Sequence, residues 1–94
     1  MGERDWYGRY RAARDYADEQ AEAYKRGEII ENWRQVSEQD PRRETLTGAA
    51  WVAWAYEIAA SDAKSLTHTQ GKQWQSLVDE CERLAQEYRE KVSS

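Results

Sequence analysis

The sequence predicts an all-α fold, a small helical bundle of three long helices plus one short helix. The segment 46–60 is interrupted only by Thr47, Gly48 and Glu57 and is otherwise apolar on every side. At roughly 15 residues it is shorter than the ~20 needed to cross a bilayer, so it predicts a central helix covered by others. The segments before and after it carry apolar residues at helical spacing, and the connections between them are short. Ninety-four residues are therefore expected to form a single helical domain, residues 1–94.

The first long helix is expected over about residues 4–26. Its apolar positions recur three or four residues apart and predict the buried face: Trp6, Tyr10, Ala13, Ala17, Ala21 and Tyr24. Lys25 and Arg26 stand in the last turn and Gly27 follows, which is the usual signature of a helix C-terminus.

The short helix is expected over residues 28–38, where the apolar positions are Ile29, Ile30, Trp33 and Val36. This apolar face is rotated from that of the first helix, so the pattern indicates a break at Gly27. One long helix kinked at Gly27 is the competing interpretation.

Asp40 and Pro41 predict the start of the central helix, because Asp is a good N-cap and Pro is favoured at the first helical position. This helix would end near Lys64, although Gly48 also allows a fresh start at Thr47. The last helix is expected after Thr67, with Gln70 completing a capping box. Its apolar stripe is Trp74, Leu77, Cys81, Leu84 and Tyr88.

The composition limits the function classes. The net charge of −4 disfavours non-specific nucleic-acid binding. No apolar segment follows Met1 and the chain has one cysteine, which together predict a cytoplasmic protein without a membrane anchor. With one His and one Cys the chain offers no set of metal ligands and no nucleophile–base pair, so we expect no enzyme, no metal and no cofactor. We expect Cys81 to lie in the core and His68 to lie on the surface, in a turn.

Two places could carry function. Glu57 is the one charge between Leu46 and Ala60, so its carboxylate must find a donor; we expect a structural bond to another helix, a position at the edge of the buried face, or a ligand contact. The other place is an N-terminal cluster of cationic and aromatic residues, which we define as Arg4, Tyr7, Arg9, Arg11 and Arg14. Interleaved Arg and aromatic residues form hot spots for proteins, hold phosphates, or make an ordinary solvated helix face.

The leading prediction is a non-catalytic protein–protein interaction module, a small adaptor or inhibitor that binds another protein through the N-terminal cluster. A compact chain without motifs would also suit a phage or mobile-element accessory protein that blocks a host system such as a defence complex. The alternative is a binder of a phosphorylated small ligand or of nucleic acid through the same cluster. A homodimer is also expected, because a helix apolar all round needs covering and small residues such as Ala49, Ala53 and Ala60 would let a second copy approach.

Overall fold

The computed structural model describes residues 5–93 and contains three helices and a β-hairpin. Helix α1 (Trp6–Lys25) leads into strands β1 (Glu31–Gln35) and β2 (Arg43–Thr47), and helices α2 (Ala49–Gln70) and α3 (Gln75–Ser93) follow. A single 3₁₀ turn, Lys72–Trp74, precedes α3. The prediction of an all-α bundle of three long helices plus one short helix is therefore wrong. Three long helices are present, but a two-stranded antiparallel sheet stands where the short helix was expected.

Helix α1 has the buried face that its sequence pattern predicts. Tyr10, Ala17 and Ala21 are buried, and Trp6, Ala13 and Tyr24 pack against the same core. The Asp5 carboxylate caps the N-terminus by accepting a hydrogen bond from the Gly8 amide at 2.8 Å. The helix ends before Gly27, whose φ of +81° turns the chain away, so a single helix kinked at this position is also wrong.

Strands β1 and β2 form the hairpin in a regular antiparallel register. Trp33 lies opposite Thr45, with Glu31 opposite Thr47 at one end and Gln35 opposite Arg43 at the other. The three-residue spacing of Ile30, Trp33 and Val36 suggested a helix with one buried face, but only Ile30 packs against the core, and Trp33 and Val36 are exposed. β-branched and aromatic residues also fit a pleated strand, and here tertiary context favours the strand.

Asp40 and Pro41 belong to the turn of the hairpin and do not start a helix. The Asp40 carboxylate accepts hydrogen bonds from the Arg42 amide at 3.0 Å and from the Arg42 guanidinium. A carboxylate that accepts from an amide two residues ahead makes the same local bond in an N-cap and in an Asx turn. The dipeptide therefore could not distinguish the two structures.

Helix α2 begins and ends at glycines with positive φ, Gly48 at +54° and Gly71 at +119°. The predicted central helix starts at Pro41 and ends near Lys64, whereas α2 starts at Ala49 and ends at Gln70. Thr67, expected to cap the next helix, instead lies inside α2, and its hydroxyl donates to the carbonyl of Ala63 at 2.9 Å. Of the stripe predicted for the last helix, Cys81 and Tyr88 are buried and Trp74, Leu77 and Leu84 are half-buried, while Val78 and Ala85 beside it are also buried.

Helix α2 packs antiparallel to both of its neighbours. Along α1, Trp51 meets Gln20 and Asp62 meets Arg9; along α3, Lys64 lies beside Glu82. Small residues on α2 allow close approach: Ala53, Ala55, Ala59, Ala60 and Ala63 are all buried. Helices α1 and α3 meet through long side chains, as in the edge-to-face contact of Tyr24 with Tyr88. The rest of the chain therefore covers α2. Among the large apolar side chains of α2, only that of Ile58 is more than 40% exposed. A second copy is thus not needed to cover this helix, which was the reason for expecting a dimer through it.

Candidate functional site

The N-terminal cluster is mostly engaged within the chain itself. Arg4 lies outside the described residues. Arg9 forms an ion pair with Asp62 of α2 at 3.2 Å, and Arg11 pairs with Asp15 at 3.1 Å on the exposed side of α1. Tyr7 is partly exposed, and its ring contacts that of Trp74, with 5.5 Å between the centroids.

Arg14 is turned inward, although the spacing of α1 placed it with Tyr7 and Arg11 on an exposed face. Its side chain is 14% exposed, and its guanidinium donates to Asp18 at 3.1 Å and to Glu80 of α3 at 2.7 Å. Burial opposes the charge, but the bonds to Glu80 and Asp18 outweigh it and raise the pKa of Arg14 above its ordinary value. Arg14 is therefore part of the helix–helix contacts, and the remaining exposed cations of the cluster do not form one continuous patch with it.

The polar groups around Arg14 extend into α2. The Tyr56 hydroxyl donates to Asp18 Oδ1 at 2.7 Å, and the Arg14 guanidinium lies 5.8 Å from the centre of the Tyr56 ring. Burial, together with the bond to Asp18, raises the pKa of Tyr56. Cys81 lies 4.0 Å from Arg14, and burial raises the pKa of its thiol. A buried thiol with a raised pKa is a poor nucleophile, so this network stabilises the bundle and does not resemble a catalytic centre.

Glu57 lies at the edge of the buried face. Its carboxylate accepts a hydrogen bond from Arg89 of α3, and its side chain is 40% exposed. Both residues of this ion pair line a cleft of about 300 Å³ between the hairpin and helices α2 and α3. Arg34, which pairs with Glu44 at 2.5 Å, also lines this cleft. The lining therefore combines paired charges with apolar side chains: Arg34, Leu46, Ala50, Ala53, Trp54, Glu57, Arg89 and Val92.

Three large apolar side chains in or beside the hairpin are exposed. Ile29, two residues before β1, is 98% exposed, Trp33 in β1 is 51% exposed, and Val36 directly after β1 is 43% exposed. Because side chains alternate along a strand, Val36 points to the face opposite Trp33. The Arg43 guanidinium lies over the Trp33 ring, 4.0 Å from its centre, which holds both side chains in place. We call Trp33 and Arg43, which share one face of the hairpin, the hairpin surface.

The hairpin surface was not predicted as a site, because the sequence pattern places Trp33 in a short helix and Arg43 in the central helix. One signal for a strand is present: the β-branched residues Thr45 and Thr47 flank Leu46. Because Asp40 and Pro41 resemble a helix start, the sequence pattern assigned these residues to the central helix.

Within the described part of the chain, no three His, Cys, Asp or Glu side chains are arranged to hold a metal ion. His68 is exposed in the last turn of α2. Of the helices in residues 5–93, none is long and apolar enough to cross a membrane. Comparison of the chain with protein-family models, with curated proteins and with solved structures gave no match.

Proposed function

We propose that this chain is a non-catalytic protein-interaction module, an adaptor or inhibitor, and that it docks on another protein through the hairpin surface. The single observation that carries the proposal is the half-exposed Trp33 ring with the Arg43 guanidinium over it on one face of the hairpin. A single exposed apolar residue is normal on a protein surface, so the exposure of Trp33 supports docking only together with its contact to Arg43. Trp and Arg are the residues most enriched in interface hot spots, and here they are stacked on each other before any partner binds.

The ion pairs within the N-terminal cluster favour the hairpin as the docking surface. Arg9, Arg11 and Arg14 each already have a carboxylate partner. Binding a phosphate or nucleic acid through them would require those acids to be displaced, in a chain with a net charge of −4. The alternative, a binder of a phosphorylated ligand or nucleic acid, therefore has less support. The lone cysteine remains consistent with a cytoplasmic protein, and a chain of this kind would suit a phage or mobile-element product that blocks a host defence complex.

The proposal is tested by affinity capture from the native host with three forms of the chain. The wild type and Ile58→Ser should retain the same partner protein, and Trp33→Ser should lose it. Ile58 is the matched control because it is 42% exposed, close to the 51% of Trp33, but lies on α2 away from the hairpin. Capture that survives Trp33→Ser and fails with Ile58→Ser would place the docking surface on the helices.

A salt titration of the captured complex separates the two ligand classes. Aromatic hot spots lose little affinity as salt rises, whereas phosphate contacts weaken steeply because counterions are released on binding. A steep loss of affinity would favour the nucleic-acid or phosphate alternative over the hairpin.

A further inference from the structure

The edge of β1 that faces away from β2 is an open strand edge. In the ladder, the Val36 amide donates to the Arg42 carbonyl at 2.8 Å, and the Gly48 amide donates to the Ile30 carbonyl at 3.0 Å. Because bonded and non-bonded pairs alternate in an antiparallel sheet, the amides and carbonyls of Glu31, Trp33 and Gln35 point outward. Four of the five β1 residues are exposed. Exposed strand edges of this kind are templates for pairing with another chain.

We propose that β1 pairs with β1 of a second copy, antiparallel and across a two-fold axis at Trp33, to form a four-stranded sheet. This register places Trp33 opposite Trp33 of the second copy and Glu31 opposite Gln35 of the second copy. Every outward amide and carbonyl of the strand then acquires a backbone partner. The Trp33 amide now donates to the side chain of Asn32 at 2.9 Å, and pairing exchanges that local bond for one to the second copy.

The other face of the strand is complementary in the same register. Val36 falls opposite Ile30 of the second copy, so an exposed apolar residue is covered by another apolar residue. Asn32 falls opposite Arg34 of the second copy, so polar groups meet without like charges. Shifting the register by one pair in one direction sets Arg34 against Arg34, and in the other direction it sets Ile30 against Arg34. Like charges or a charge against an apolar residue disfavour both shifts.

The edge of β2 is less suited to the same pairing. Pro41 and Arg42 directly precede this strand and Arg43 is its first residue, and proline and cations discourage edge pairing. At its other end the chain enters α2 at Gly48, so a helix stands beside the end of that edge. The second copy therefore belongs on β1.

Pairing through β1 enlarges the hairpin surface without blocking it. Residues opposite each other across an antiparallel sheet point to the same face, so Trp33 and Arg43 of both copies would lie side by side. The pairing itself does not depend on the proposed function, although its use as a double docking surface does. A five-residue edge buries less than a standard interface of about 1,600 Å², so the dimer should form at high protein concentration and dissociate on dilution.

The test is sedimentation equilibrium of the purified chain over a wide concentration range, with two proline variants. Gln35→Pro removes an outward amide from β1, and because of the two-fold axis it removes the bond twice. Thr45→Pro is the matched control, since it removes an outward amide from the β2 edge; a proline whose N–H side faces solvent is tolerated on an edge strand. We expect the wild type and Thr45→Pro to dimerise and Gln35→Pro to stay monomeric. A wild type that is monomeric throughout, or a dimer that survives Gln35→Pro, would overturn the proposal.

Two charge variants test the register without a backbone change. Gln35→Lys faces Glu31 of the second copy and should lower the dissociation constant several-fold, whereas Gln35→Glu should raise it several-fold. Within one hairpin Gln35 lies opposite Arg43, so an effect on hairpin folding alone would have the opposite sign. Equal dissociation constants for the two variants, or the reversed order, would exclude this register. Since the purified chain is measured alone, these outcomes are independent of the capture experiment on the hairpin surface.

Discussion

Arg14 connects three helices through one guanidinium. It binds Asp18 on its own helix and Glu80 on α3, and it lies beside the Tyr56 ring of α2. Arg11, three residues earlier, is 57% exposed and has only the Asp15 pair. The two arginines of the N-terminal cluster therefore have different consequences for stability, although their spacing suggested one shared face.

We expect Arg14→Ala to lower the free energy of unfolding by about 1.5–3 kcal/mol, the range for hydrogen bonds that involve charged groups. The lower end applies because Asp18 and Glu80 are nearly half exposed and screened by water. Arg14→Glu should cost more, since it places a third carboxylate beside those two.

Arg11→Glu is the control, and breaking its exposed pair should change stability by no more than about 0.5 kcal/mol. Urea unfolding of the three variants measures the differences. Equal losses for Arg11→Glu and Arg14→Glu would mean that Arg14 is not part of the core contacts. A double charge reversal at Arg11 and Arg14 would therefore lower stability as well as change any binding surface. A binding test of this helix should use Arg9 and Arg11 instead.

The junction between the hairpin and α2 depends on Gly48. Its φ of +54° and ψ of −128° lie in a region that L side chains rarely adopt. A Cβ added here would lie 3.7 Å from the Tyr24 ring, an ordinary contact, so the backbone conformation alone resists substitution.

We predict that Gly48→Ala destabilises the chain by about 1–3 kcal/mol, the range for a residue held in a sparsely populated conformation. Thermal unfolding followed by circular dichroism measures the loss. A synthetic chain with D-alanine at this position is the control, because D-alanine favours positive φ and should keep the stability of the wild type. If both substitutions destabilise the chain equally, contacts at this position matter more than its backbone angles.

Helices α1 and α3 could be predicted because their apolar stripes extend over several turns and periodicity is averaged over many residues. The hairpin could not, because its signals are short and local. Asp40 and Pro41 make turn bonds that also suit a helix start, and only the rest of the fold decides between them. The residues of the N-terminal cluster could be named, but the inward direction of Arg14 depends on Glu80, 66 positions away. The exposure of Ile29 and Trp33 likewise depends on which surfaces the helices leave open.

The molecule consists of a well-packed helical body and a hairpin with few buried residues. Two clusters of buried side chains run along α2, one around Val52 and Tyr56 and the other around Ala59 and Leu66. The hairpin is attached mainly through Leu46, Ile30 and the contact of Arg34 with the Trp54 ring. A two-stranded hairpin has little stability of its own, so it should open without unfolding of the helices.

Hydrogen exchange should therefore show two levels of protection. In dilute solution, the ladder amides of Val36 and Gly48 should exchange by local opening, well before the α2 amides of Val52 and Ala59, which require global unfolding. The amides of Glu31 and Gln35 point away from β2 and should exchange fastest, close to the rate of an unprotected strand. Slow exchange at Val36 equal to that at Ala59 would mean that the hairpin and the helices unfold as one unit.

Raising the protein concentration should then change the pattern at specific positions. If β1 pairs with a second copy, the Glu31 and Gln35 amides become hydrogen-bonded and gain protection. Val36 also gains, because a ligand that binds only the closed hairpin stabilises it by mass action. The Thr45 and Thr47 amides lie on the β2 edge and gain only through the closed hairpin, so they should remain less protected than the outward amides of Glu31 and Gln35. Protection that rises more at Thr45 than at Gln35 would move the pairing to the other edge of the sheet. Protection that stays constant with concentration would mean that the hairpin remains unpaired.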